Sequence, residues 1–313
     1  MLGKFKIGHY TNSAAGTGCT VIIPPEGNMA SAAIGGASPG TRELALLSPK
    51  RKISHIHALV LTGGSAFGLG CAQGVMEELA AKKIGYETNY GVVPIVPAAV
   101  IFDKNLGDAN AYPKADDGRQ AFSKAEYNNK QMGNVGAGTA ASVGKWRGMQ
   151  YAMKSGLGIA SQTFKELRVT VLTVVNAAAD ILDYDHSLLA GAVDAQGRFW
   201  AKDDPFSRWE NHRVGMAENT VLSVVMTNMR VTKQQAFYLA EHAQFGIARR
   251  VEPSHTSYDG DICFFLSSQE LDGNLDLLAG MIVPVVEASI INGVKYADSA
   301  YGLKSVNELQ TGK

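Results

Sequence analysis

Apolar positions along the chain fall into short runs separated by glycine and proline clusters, a pattern of strands more than of long helices. Residues 16–23 form one such run, closed by Pro24-Pro25, and residues 29–34 form a second that stops at Gly35-Gly36; together they predict an antiparallel hairpin. Residues 57–62 are a third, almost wholly apolar strand. It enters Gly63-Gly64-Ser65-Ala66-Phe67-Gly68 and then a helix with Cys71, Val75, Leu79 and Ala80 on one face. Pro94 and Pro97 put residues 92–102 at a sheet edge or in an extended lining segment, because proline cannot donate to a ladder. Residues 103–130 are polar and expected at the surface. Residues 156–162 and 167–175 predict paired strands, the second ending at Asn176. Residues 220–228 predict a buried strand, entered from a polar segment, residues 205–213, that reads as loop. Thr232-Lys233-Gln234-Gln235 is a capping-box start for a helix through residue 249, and residues 275–291 have helical period with Pro284 kinking or breaking them. With no linker or composition shift, the expectation is one α+β domain over residues 1–313, with mixed sheets covered by helices.

Composition narrows the partners. Apolar residues are 46% and charged residues 19% of the 313, as in compact soluble proteins. Lys plus Arg and Asp plus Glu are 29 each, so no net field draws the chain to nucleic acid or an anionic membrane surface. No apolar run approaches spanning length and the N-terminus lacks an apolar targeting core; three well-separated cysteines suit free thiols in a reducing compartment. The expectation is a cytoplasmic protein without nucleic-acid or membrane partners.

Candidate chemistry centres on Thr220. An Asn-Thr pair opens the buried run 220–228, so a loop meets a core strand at a hydroxyl residue. There a chain can cut itself: the hydroxyl attacks the Asn219 carbonyl, an ester replaces the peptide bond, and water releases an N-terminal threonine. The freed α-amine titrates near ~7.7–8.0 and can take the proton of its own hydroxyl. Equally, Asn-Thr is an ordinary turn entering a strand. Lys145 ends ten small or apolar residues, at a surface or deliberately placed. Asn176 is a turn former or an oxyanion donor on a rigid strand end. Asp259-Gly260-Asp261 precedes another apolar strand, as a solvated turn or an acidic pair. The turn at Gly63-Gly64-Ser65 lacks a Gly-Lys-Ser/Thr ending and the Gly-x-Gly-x-x-Gly spacing, and Phe67 stands where a hydrolase elbow needs glycine. It reads as a pocket wall. Among the seven histidines only His55-x-His57 approaches a metal spacing, and that is strand alternation; neither metal nor cofactor is expected.

In order, Gly63-Gly64-Ser65-Ala66-Phe67-Gly68, Gly136-Ala137-Gly138-Thr139 with Lys145, Asn176 after a strand, Asn219-Thr220 entering one, and His255-Thr256-x-x-Asp259-Gly260-Asp261 resemble the self-processing L-aminopeptidase/D-esterase family. That family also holds β-aminopeptidases and 6-aminohexanoate-oligomer (nylon oligomer) hydrolases. The resemblance covers nearly the whole chain and implies a four-layer αββα sandwich of the N-terminal nucleophile type, cut into an α chain (1–219) and a β chain (220–313) within a homo-oligomer such as a tetramer of αβ units. It implies Thr220 as nucleophile, Asn219 as the residue before the cut, and Lys145 and Asn176 as catalytic lysine and asparagine. Asp259 and Asp261 match the acidic pair of the nylon-oligomer branch, where the aminopeptidase branch has Ser and Glu. Ser65 and Phe102 fall at substrate-binding places, Phe102 where that other branch has a tyrosine. Val221 departs from the second hydroxyl many members carry. The implied function is hydrolysis of small peptides or oligoamides. The alternatives are an acyltransferase of the ornithine acetyltransferase type, whose Thr-Met-Leu cleavage motif is missing at this junction, and a non-catalytic homologue.

Overall fold

A computed structural model of the chain describes residues 3–202, 206, 208 and 219–311. Most of the segment expected as a loop before Thr220 lies outside the described residues. Two sheets stack face to face. The first has six strands in the order Thr41–Arg42, Ala98–Val100, Leu59–Thr62, Thr17–Ile23, Lys6–Asn12, Glu126–Tyr127. The second has five: Leu157–Phe164, Leu167–Asn176, Thr220–Met229, Ile262–Leu271, Met29–Ile34.

Strand alternation sorts the second sheet's side chains into two cores. Leu172, Val174, Leu222, Val224, Met226, Ile262, Phe264 and Leu266 face the first sheet and fill the layer between the two. Val171, Val175, Val221, Val225, Cys263 and Phe265 face outward under two helices, Lys233–Arg250 and Leu275–Lys295. The first sheet's outer face packs on the helices Cys71–Ala81 and Ala115–Ser123 through Cys19, Val21, Val60, Val75 and Leu79. Helices, sheet, sheet, helices: this is the four-layer αββα sandwich.

Several sequence expectations hold. Leu157–Phe164 and Leu167–Asn176 pair antiparallel, and the 233–250 helix carries the expected box, Thr232 Oγ1 accepting from the Gln235 amide at 3.3 Å and Gln235 Oε1 from the Thr232 amide at 2.9 Å. Others fail for identifiable reasons. Thr17–Ile23 does not form a hairpin with Met29–Ile34. It pairs with Lys6–Asn12 and Leu59–Thr62, while Met29–Ile34 crosses to the edge of the other sheet beside Ile262–Leu271. The crossing follows Pro24-Pro25, which cannot donate to a returning ladder, and Asn28 fixes it by donating to the Pro25 and Ile56 carbonyls. Pro284 does not break its helix, which runs unbroken from Leu275 to Lys295. Burial of Leu278, Ile282, Val286, Ile290 and Val294 on both sides outweighs the lost hydrogen bond. Against the expectation that no apolar run approaches spanning length, that helix is long and apolar enough to cross a membrane by length and composition, yet 72% of its 18-residue apolar window is buried here as part of a core element.

Glycine sets how closely this helix approaches the sheet. A Cβ at Gly158 would stand 2.0 Å from the Ser289 carbonyl oxygen and 2.3 Å from the Gly293 nitrogen. Gly158→Ala must push helix and sheet apart, at a cost of about 1–3 kcal/mol. Urea unfolding should show that loss; an unchanged midpoint would contradict the packing described.

Candidate functional site

The alternation that builds the inter-sheet core continues to the strand ends. Asn176 is the register partner of Thr220, and both share the face that carries Leu172, Val174, Leu222 and Val224. Their side chains therefore lie at the rim of the inter-sheet layer, where residues 101–103, just past the first sheet's Ala98–Val100 strand, arrive. Asn176 Nδ2 donates to the Phe102 carbonyl at 3.0 Å.

Lys145 reaches the same rim. Gly144, at φ 71, packs so tightly on Gly191 that a Cβ would stand 2.1 Å from its carbonyl carbon. The Gly144 and Trp146 amides donate to the Ala179 and Ala178 carbonyls, which fixes the backbone on either side of the lysine. Lys145 is 4% exposed, and its Nζ donates to Asn176 Oδ1 at 3.0 Å and to the Asn176 carbonyl at 3.1 Å. The lysine is thus placed, not stranded at a surface. Trp146 is held in turn by Asp180, which also pairs with Arg208 at 2.7 Å and so ties part of the segment before Thr220 to this corner.

The acidic pair closes the other side. The Asn219 carbonyl accepts from the Gly260 amide at 2.7 Å, and the Val221 amide donates to Asp261 Oδ1 at 2.7 Å, so residues 259–261 grip the Asn219-Thr220 junction on both sides. This grip is anchored by residues 35–38: the Gly35 and Ser38 amides donate to the Asp261 and Asp259 carbonyls. Asp261 Oδ2 accepts from the His255 backbone at 3.2 Å and lies 2.9 Å from its Nδ1. Burial opposes the His255 imidazolium, but the Asp261 carboxylate outweighs it and raises the pKa above 6.5. Asp259 is pushed up to about 6, first by burial and then by the Asp261 charge, against amide and hydroxyl donation from Thr256 and the charge of Lys145.

Thr220, Asn219, Lys145, Asn176, Asp259 and Asp261 are therefore brought together. Phe102 joins them through its carbonyl. Ser65 stands one step further out, its amide donating to the Ile101 carbonyl at 3.0 Å. The adjacent glycine turn is no anion cradle, since the Gly64 amide already donates to Asp103 Oδ1 at 2.7 Å and Thr17 to its Oδ2 at 2.7 Å. Asp103 is 2% exposed, so the expectation of an exposed segment fails at its first residue, and residues 115–123 within it are helical. His255 and the Gly260 amide were not singled out from the sequence. The His255-Thr256-x-x-Asp259 spelling contained the first, while a backbone N–H leaves no letter. Among the described residues no His, Cys, Asp and Glu cluster has metal-binding composition. A cavity of about 490 Å³ lined by Thr163, Lys165, Glu166, Arg168, Asn228, Glu270 and Leu271 lies at the opposite ends of these strands, roughly 26 Å away at ~3.3 Å per residue.

The sequence model of peptidase family S58 matches residues 3–307. The chain belongs to peptidase family S58. Among S58 relatives, a protein described as an uncharacterized aminopeptidase from Mycobacterium tuberculosis is 35% identical over 85% of this chain and 80% of its own. A 6-aminohexanoate-oligomer endohydrolase from Kocuria is 29% identical over 84% of this chain and 72% of its own. Of solved structures, a Burkholderia β-aminopeptidase superposes with TM-score 0.71 at 17% identity, covering 98% of this chain and 90% of that one. The L-aminopeptidase D-Ala-esterase/amidase of Ochrobactrum anthropi, described as a variant of the Ntn hydrolase fold, gives TM-score 0.71 at 18% identity over 94% and 84%. The fold is that of the Ntn hydrolases, and family membership makes the protein a hydrolase of peptide or amide bonds.

The Asp259 titration carries a stability consequence. Its carboxyl pKa is raised in the folded chain, so the unfolded chain loses this proton first as pH rises from 3.8, and stability falls between pH 3.8 and about 6. In a Thr220→Ala background, where no cut is expected, Asp259→Asn should raise stability at pH 8 by up to roughly 3 kcal/mol, at about 1.4 kcal/mol for each pH unit separating the titrations. The gain should vanish near pH 4; urea unfolding at both values checks it, and a loss at pH 8 would contradict the burial argument.

Proposed function

We propose that this S58 hydrolase cuts itself between Asn219 and Thr220, and that the new N-terminal Thr220 is the nucleophile acting on peptides or short oligoamides. The observation that carries this reading is the placement of one peptide junction, at the mouth of the inter-sheet layer, within a single group of Lys145, Asn176, Asp259 and Asp261. No other strand start in the described chain has such company.

Each residue then has a role. Lys145, held by Asn176, keeps the Thr220 amine uncharged and stabilises negative charge on the carbonyl oxygen under attack. Asn176 fixes Lys145 through Oδ1 and presents Nδ2 towards the same rim. Asp259, titrating near 6, is suited to accept the Thr220 hydroxyl proton during the cut. Asp261 orients the first turn of the strand through the Val221 amide. Val221, standing in place of a second hydroxyl, is buried in the outer core, so it offers the cut no help. The relatives named for aminohexanoate oligomers and for peptides support substrates of that class, with Phe102 and Ser65 on the first-sheet wall. The three buried, unpaired cysteines support a reducing compartment. The resemblance supports a homo-oligomer of cut αβ units.

His255 changes the charge balance. Lys145 does not face the two carboxylates alone, since His255 lies 2.9 Å from Asp261. Residual negative charge for a substrate ammonium therefore grows as Asp259 and His255 lose their protons. The advantage in kcat/KM of a free-amine aminohexanoate oligomer over its N-acetylated form should rise severalfold from pH 6 to pH 8; a ratio flat with pH would remove these groups from amine recognition.

The reading itself is tested by intact mass. Wild-type protein should resolve into residues 1–219 and 220–313, Thr220→Ala should stay whole, and Thr220→Ser should still cut. Lys145→Ala should fold yet lose at least about 10²-fold in turnover. A single full-length species with amidase activity would refute the mechanism.

A further inference from the structure

Residue 260 is the one member of the acidic loop without a side chain, and its surroundings explain why. A Cβ there would stand 2.7 Å from Thr220 Oγ1 and 2.9 Å from the Ser38 carbonyl oxygen, so the threonine hydroxyl occupies the space a side chain would need. From the same residue the backbone N–H donates to the Asn219 carbonyl oxygen at 2.7 Å. Asn219 and Asp259 form a parallel bridge, and Asp261 takes the Val221 amide, so the donor is locked to the junction on both sides. The junction is buried, with Asn219 3% and Thr220 7% exposed, which keeps water from competing for that oxygen.

We propose that the Gly260 N–H is the oxyanion donor of the self-cleavage step, and that glycine is required at 260 to admit the attacking hydroxyl. The inference rests on the self-cleavage reading and names the group that holds its charge. Thr220 Oγ1 bonds to the Asn219 carbonyl carbon, and the electron pair of the C=O moves onto the oxygen that Gly260 already holds. The hydroxyl proton passes by way of a carboxylate to the Thr220 nitrogen. The C–N bond then breaks as the carbonyl re-forms, leaving an ester between Asn219 and Thr220. Water adds to that ester, yielding the Asn219 carboxyl group, the free Thr220 hydroxyl and the Thr220 amine. A donor present before attack needs no reorganisation when the charge appears. The Asn176 side chain does not replace it, because its oxygen accepts from Lys145 and its Nδ2 donates to the Phe102 carbonyl.

Cell-free synthesis of the full chain with glycolic acid at position 260 removes the N–H and adds no atom to the hydroxyl's space. The rate of appearance of fragments 1–219 and 220–313, followed by mass, should fall about 10²–10³-fold from wild type. Hydrolysis at the introduced ester gives different masses and is scored separately. Gly260→Ala, which keeps the N–H but fills the space, should also cut at least tenfold more slowly while folding by circular dichroism. Glycolate-260 chains cutting within threefold of wild type would overturn the donor, and Gly260→Ala cutting at the wild-type rate would overturn the space requirement. If the ester chain does not fold, scalar coupling between the Gly260 nitrogen and the Asn219 carbonyl carbon in uncut Thr220→Ala reads the hydrogen bond directly, and its absence overturns the assignment. A wild-type chain that never cuts would instead refute the self-cleavage reading.

Discussion

The architecture depends on the central position of the Thr220–Met229 strand. It pairs antiparallel with Leu167–Asn176 and parallel with Ile262–Leu271, so the start of one strand, the end of a second and the start of a third meet at one edge. That mixed pairing delivers Asn176, Thr220 and Asp261 to the same corner without any loop having to find its way there. The strand is buried along its length, which makes the corner rigid, as a site holding reacting groups to fractions of an ångström requires. Stability and chemistry pull apart only at the margin, where an aspartate is buried beside another carboxylate and its pKa rises accordingly.

The corner is an electrostatic compromise. Two carboxylates, a buried lysine and a half-buried histidine lie within one small volume; the carboxylates and the lysine are held by backbone donors or acceptors, and the histidine ring by Asp261. Charges so arranged are costly to bury and costly to separate. The arrangement raises the Asp259 pKa and orients Asp261 through the Val221 amide and His255. A proton can then move within the group while the group's total charge changes little.

Much of this was legible in the sequence. Short apolar runs marked the strands, Thr232 and Gln235 marked a helix start, and the spelling around Asn219-Thr220 and Asp259-Gly260-Asp261 marked residues that the structure brings together. Pairing partners were not legible, because an apolar strand carries no record of which sheet it joins; Met29–Ile34 crosses over for reasons set by Asn28 and two prolines. Asp103 misled because a buried carboxylate with two internal donors is spelled like an exposed one. Gly260 was visible only as a turn residue, since its contribution is a main-chain amide and an empty space.

The central claim is that Thr220 carries the acyl group. Quenching the protein with acid during turnover of a slow amide or ester substrate, then weighing and mapping the 220–313 fragment, tests it most directly. The account predicts the mass of the acyl group added to that fragment and located on Thr220. An adduct on any other residue, or hydrolysis by a chain whose Thr220 remains in peptide linkage to Asn219, would contradict it.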